Sequence, residues 1–252
     1  MAKKSTQKPA GGRTRKAASP KPGLRARATS IIRLVARWVR RVVLGGLLLL
    51  CLWVLAYRWI DPPTTPYIVG EDARLAGVAR TWVDLEEIAP VMARAAVAAE
   101  DANFCLHWGF DVDAIRDAIE EGGNRGASTI SQQVVKNAFL WQGRSWVRKA
   151  LEAGLTPLME LLWPKRRIIE VYLNIAEFDE GVFGVDAAAQ AYFGRSAAEL
   201  SDRQAGLLAA VLPGPKDRDA ANPTAFLSRR AASIVDGAAT IRADGRAACF
   251  ED

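Results

Sequence analysis

Histidine occurs once in the 252 residues, at His107, and cysteine three times, at Cys51, Cys105 and Cys249. No Cys-His cluster has metal-site spacing, which excludes a zinc module. Strict apolar–polar alternation is scarce, so an all-β class is excluded, and no repeat of solenoid period is present. Acidic residues are missing from residues 1–60, which hold 14 of the 34 Lys and Arg. The remainder carries 20 basic and all 28 acidic residues, a net of −8. The overall charge of +6 therefore belongs to the tail. A globular part of net negative charge argues against nucleic acid as a partner.

Residues 1–41 are rich in Lys, Arg, Ala, Ser, Thr, Gly and Pro up to Ser30 and read as a disordered basic tail. Val42–Tyr57 is uncharged, and extending it to Ile60 gives nineteen residues with Arg58 placed to snorkel. At about 1.5 Å per residue this nearly spans a hydrocarbon core of about 30 Å. Trp38 at one end and Trp53, Tyr57 and Trp59 at the other suit the two interfaces. Arg33, Arg37, Arg40 and Arg41 put the N-terminal side in the cytoplasm. A cleaved signal peptide is the weaker reading, because Arg58-Trp59 is a poor cleavage site. Cys105 and Cys249 then lie where disulfides persist, and a bridge or two buried thiols are both open.

Asp61–Pro66 reads as a stiff exit from the membrane, and 67–84 as a place for a short strand. Beyond Leu85 the pattern is helical: Glu86–Ala99, Asp113–Glu121, Ser128–Phe139, Ser145–Leu162 with a bend at Pro157, and Lys165–Ala176. Ser196-x-x-Glu199 and Ser201-x-x-Gln204 read as capping boxes, and Asn222-Pro223 as the start of a last helix. The fold class is mainly α. The expected organisation is a tail at 1–41, a transmembrane helix at 42–60, a linker at 61–81 and a catalytic domain at 82–252.

Four constellations could carry chemistry. Glu100-Asp101-x-x-Phe104-x-x-His107-x-Gly109-x-Asp111 ends an apolar helix in two acids, the unfavourable end of the dipole, where a burial-shifted carboxylate could act as a base. The bland alternative is that Asp101 caps a turn and Glu100 is solvated. In Gly126–Asn137, Ser128, Gln132 and Lys136 share a helix face that could hold sugar and phosphate, or simply face solvent. Arg144, Arg148 and Glu152 step by four beside Lys149, with Arg before Glu, the weaker order for helix support. Planar guanidiniums suit a diphosphate, and an exposed salt-bridge ladder is the alternative. Glu170–Asn174 supplies packing through Tyr172 and Leu173.

Together and in this order the motifs resemble the glycosyltransferase module of bacterial cell-wall synthases. The match spans about 82–215, through EDxxFxxHxGxD at Glu100–Asp111, GxSTIxQQxxKN at Gly126–Asn137, RKxxE at Arg148–Glu152 and ExYLN at Glu170–Asn174. The short chain with one span is similar to the monofunctional members. K-T-G is absent, and the only S-x-x-K, Ser5–Lys8, falls in the tail, so a transpeptidase is excluded. The resemblance implies a lysozyme-like, two-lobed helical fold and polymerisation of lipid II onto a growing undecaprenyl-linked glycan, with inversion at the anomeric carbon. It implies Glu100 as general base, and Lys136, Arg144 and Arg148, with Lys149, around the leaving diphosphate. Glu152 is the second glutamate, holding those cations or a divalent ion such as Mg or Mn; no organic cofactor is implied. Ser128, Thr129, Gln132, Gln133 and Asn137 would line the cleft, Asp101, Phe104 and His107 would shape it, and Asn174 and Glu170 would brace the second lobe. The implied place is the bacterial inner membrane, with a periplasmic catalytic domain and other cell-wall synthesis proteins as partners. Gln204 stands where the family usually has Glu, a departure that bears on a structural salt bridge and not on the catalytic assignment. Two rivals remain: a lytic transglycosylase or lysozyme-like hydrolase of the same polymer, and a non-catalytic membrane scaffold for wall synthases.

Overall fold

A computed structural model describes residues 24–122, 128–143 and 145–251 of the chain. The chain divides into two units, 1–49 and 50–252. Helix α1 (Leu24–Ala56) begins well inside the segment expected to be a disordered tail. Ala, Arg and Leu from Leu24 onward are good helix formers, so the helix of the apolar run propagates backward. Residues 1–23 of that tail lie outside the described residues. Within α1, Arg33–Ala56 is long and apolar enough to cross a membrane.

In the second unit the last turns of α1 are packed. Val54 is fully buried and its carbonyl accepts from Trp163 Nε1 at 2.8 Å. Tyr57 stacks on Phe139 with ring centroids 5.6 Å apart. Arg167 donates to the carbonyls of Tyr57 and Ile60, each at 3.0 Å. The segment expected to be a linker holds helix α2 (Pro66–Leu75). Thr65 caps it, accepting from Ile68 N–H at 3.2 Å, and Pro66 opens the first turn. The Pro-rich run thus starts a helix where a stiff coil was expected. Strand β1 (Ala79–Arg80) joins β2 (Glu177–Asp179) and β3 (Val182–Phe183) in a sheet of order β1-β3-β2, with β1 and β3 parallel.

The remaining elements are helices α3 (Pro90–Glu100), α4 (Val112–Glu120), α5 (Ile130–Phe139), α6 (Trp146–Leu162), α7 (Lys165–Ile175), α8 (Val185–Phe193), α9 (Asp202–Val211) and α10 (Ala225–Ala243), with short 3-10 turns at Leu85–Glu87, Phe104–Leu106 and Ala197–Glu199. Helix α6 stays one helix across Pro157. Both capping boxes form, and Gln204 serves as well as Glu because the Ser201 N–H needs only an acceptor, here Gln204 Oε1 at 3.0 Å. The last helix is capped by Thr224, which accepts from Leu227 N–H, and not by Asn222. The Asn222 side chain is already bound to Asp219, at 3.0 Å.

Two helical groups place the site. Helices α3, α9 and α10 pack closely because small residues face one another: Ala95 and Ala96, Ala209 and Ala210, Ala231 and Ala238 are all buried. Helix α5 is buried on nearly every side between α6 and α7. At Gly206, a Cβ would sit 2.7 Å from Val235 Cγ2 and 2.8 Å from the Ala231 carbonyl oxygen. Backbone cannot yield as a side chain can, so Gly206→Ala should destabilise by about 1–3 kcal/mol, read as a lower thermal midpoint in detergent.

Candidate active site

Glu100 is the last residue of α3, and no basic residue lies in that helix's last turn to offset its dipole. Its half-buried carboxylate accepts at Oε2 from Gln133 Nε2 of α5, at 2.7 Å. Burial pushes the carboxyl above the usual range, and this outweighs the Gln133 bond and the charges of Arg230 and Arg218, which pull it down. Glu100 opens onto a cavity of about 260 Å³, also lined by Asp101, Asn103, Asp111, Asp117 and Ser128. Of the expected cleft residues, Ser128 is exposed at its rim.

Asp101 is buried and braces this end of the site. Its Oδ2 accepts from Ile130 N–H at 3.0 Å, at the start of α5, and its Oδ1 lies 2.8 Å from His107 Nε2. Asp111 caps α4 by accepting from Ala114 N–H at 2.9 Å, and also accepts from Asn103 Nδ2 at 2.9 Å. Gly109 has φ +82°, and a Cβ there would lie 2.5 Å from Thr156 Cγ2. Its carbonyl accepts from Thr129 Oγ1 at 2.6 Å. Phe104 is fully buried, with the Lys165 ammonium 4.3 Å from its ring centre.

Of the expected polar stripe, Ser128 precedes α5 and is exposed, Gln132 is buried and Lys136 is half-buried, so a helix face of all three does not form; Asn137 is buried too. Thr129 and Gln132 form a capping box, so their side chains are largely spent on the helix start. Asn137 accepts from Gln142 Nε2 at 3.2 Å. Lys136 is half-buried, and burial first, then Arg148, lowers its pKa; Glu152 and Glu100 oppose this. The ammonium therefore feels both glutamates at once.

Ser145 caps α6 and sets Arg148 one turn before Glu152. Glu152 is buried and binds Arg148 at 3.4 Å, Lys149 in close contact, and Gln132 Nε2 at 3.5 Å. Among the described residues, Arg148 Nε is buried without a hydrogen-bond partner. Arg144 and Gly126 lie outside the described residues. Asn174 is buried and ties α7 to Val83 through both its amide atoms, at 2.9 and 2.8 Å, while Glu170 pairs with Arg167.

The cations already on Glu152 make its surroundings a poor nest for a divalent ion. Among the described residues, Asp101, His107 and Asp111 bring donor atoms within 4.8 Å of one another, but both Asp carboxylates are engaged by the hydrogen bonds above. Arg218 and Arg230, whose charges reach Glu100, fall in no motif, and their spacing from Glu100 along the chain carries no periodic signal.

Residues 70–239 match the family model described as Transglycosylase. A biosynthetic peptidoglycan transglycosylase of Jannaschia sp. (strain CCS1) is 62% identical over 225 residues, covering 89% of this chain and 94% of the relative. One from Rhodospirillum centenum is 50% identical over 227 residues, covering 87% and 98%. One from Pseudomonas syringae pv. syringae is 48% identical over 215 residues, covering 81% and 89%. With the acidic cavity at Glu100 and the cationic group around Glu152 set on one mainly helical, lysozyme-like domain, the chain belongs to the transglycosylase family.

Proposed function

We propose that Glu100 is the general base and Lys136, Arg148 and Lys149 the diphosphate-binding group of this peptidoglycan glycosyltransferase, an enzyme of cell-wall synthesis. The observation that carries this reading is geometric: Gln133 of α5 binds the Glu100 carboxylate at 2.7 Å, Lys136 follows in the same helix, and Arg148 and Lys149 are both held on the buried Glu152. A hydroxyl and a diphosphate held between those groups are poised to react. Glu100 takes the proton of the acceptor sugar's 4-hydroxyl. The oxygen then bonds to the donor's anomeric carbon from the face opposite the leaving group, the carbon–oxygen bond to the diphosphate breaks, and the anomeric centre inverts. The cations receive the charge that develops on the diphosphate. Lipid II is the acceptor and the undecaprenyl-linked glycan the donor. Glu152 fixes the cations in place, and Ser128 and Gln133 reach the sugars. Thr129, Gln132 and Asn137 serve by holding α5, and Asp101, Phe104 and His107 by holding the Glu100 loop.

The long apolar helix Arg33–Ala56 anchors the enzyme to a membrane. The Arg cluster before it supports a cytoplasmic N-terminus and a periplasmic domain on a bacterial inner membrane, within reach of other wall-synthesis proteins. A glycan hydrolase has no diphosphate to neutralise, so the cationic group favours the polymerase. Labelled lipid II should yield polymer while purified sacculi stay uncut; shortened sacculi without polymer would reverse the reading.

A base must be unprotonated, so kcat/KM should rise with pH through a limb set by the Glu100 carboxyl, above the ordinary glutamate range. The Gln133 amide favours the charged form. Gln133→Leu should therefore move that limb to higher pH. An unmoved limb in a pH–rate titration would show that another group sets it.

A further inference from the structure

The family match ends at residue 239, yet the chain continues past α10 into a tightly held C-terminal segment, Asp244–Glu251. Gly245, at φ +79°, reverses the chain after α10. Arg246 is fixed on Asp244 at 2.9 Å and donates from NH1 to the Ala102 carbonyl at 3.1 Å. Cys249 is disulfide-bonded to Cys105, which answers the question the sequence left open. Phe250 is buried against Phe104, with ring centroids 6.2 Å apart, and its carbonyl accepts from Arg166 at 3.0 Å. Glu251 pairs with Arg94 of α3 at 2.5 Å. Apart from the Arg246–Asp244 pair inside the segment, these ties land on α3, on the stretch that follows it, or on α7. Arg94 precedes Glu100 in its own helix, and Ala102, Phe104 and Cys105 follow it directly.

The geometry points to the C-terminal segment as a clasp whose residues Arg246, Cys249 and Phe250 are positioning residues for Glu100. This rests on the reading of Glu100 as the base. A carboxylate at a helix end is aimed by the backbone just beyond it, and that backbone is a loop. The clasp fixes the loop from outside, as Asp101 fixes it from inside. A reacting group displaced by about 1 Å can cost about 10²-fold in rate, so the clasp acts on turnover.

The test uses full-length protein in detergent with labelled lipid II, comparing the oxidised wild type, Cys249→Ala, Arg246→Ala and wild type treated with a dithiol reductant. Opening of the bridge is checked by mass spectrometry of alkylated peptides. Arg246→Ala keeps the disulfide, so it guards against a variant that simply fails to fold. The expected result is a fall in kcat of about tenfold or more with KM for lipid II nearly unchanged, in folded protein. Wild-type kcat in Arg246→Ala, and in protein whose bridge is shown open, overturns the clasp even if the thermal midpoint drops. Glu100→Gln runs alongside: if it is inactive while the clasp variants are fully active, only the clasp fails. If Glu100→Gln is active, the base assignment fails and takes the clasp with it.

Discussion

Arg148→Ala is expected to lower kcat/KM for lipid II polymerisation by about 10²–10³-fold, the usual loss when one preorganised group facing a developing charge is removed. Arg148 reaches Glu152 through Nη1 only at 3.4 Å, and its buried Nε has no partner among the described residues. A buried donor left unpaired costs about 1–3 kcal/mol, so a fold that needed only a helix salt bridge gains little from it. Such a donor is accounted for if a phosphate oxygen is its partner during turnover. Lys149 remains to hold Glu152 in the variant, so circular dichroism should stay unchanged. Arg148→Lys restores charge without the planar fork and should recover only part of the rate. A loss of thermal stability with turnover intact would return Arg148 to the salt-bridge ladder.

Glu100→Gln is expected to lower the rate by about 10²–10⁴-fold, the contribution typical of a positioned general base. The amide has the carboxylate's shape, and its oxygen can still accept from Gln133, as Glu100 Oε2 does at 2.7 Å. Stability should move the other way. A carboxyl whose folded pKa is raised by burial binds its proton more tightly folded than unfolded. It therefore favours the fold below its unfolded pKa, and that advantage is lost as pH rises through the folded value. Above its folded pKa the ionised Glu100 is a burden that Gln lifts, so at such pH the variant should melt no lower than the wild type. Inactivity together with undiminished stability separates chemistry from folding.

The helices carrying chemistry were legible because their apolar periods and caps are local. Ser145 before α6 and Pro164 before α7 mark their starts, and the two serine capping boxes mark elements outside the site equally well. The start of α1 and the existence of α2 were not legible. A basic run reads as tail by composition, and Thr65-Pro66 reads equally as coil or as cap until a helix follows. At the site, the motifs named Glu100, Lys136, Arg148 and Glu152, and these come together in one electrostatic group. Periodicity could not tell a buried polar stripe from a solvated one, so the capping work of Thr129 and Gln132 stayed hidden. Arg218, Arg230 and the Cys105–Cys249 bridge depend on contacts across most of the domain, which no local pattern encodes.

The most direct measurement is polymerisation of labelled lipid II in detergent by full-length wild type and by folded Glu100→Gln, followed by the amount of polymer over time. Glu100 as base predicts polymer from the wild type and essentially none from the variant, with its thermal midpoint retained. Polymer formed by Glu100→Gln at the wild-type rate would contradict it.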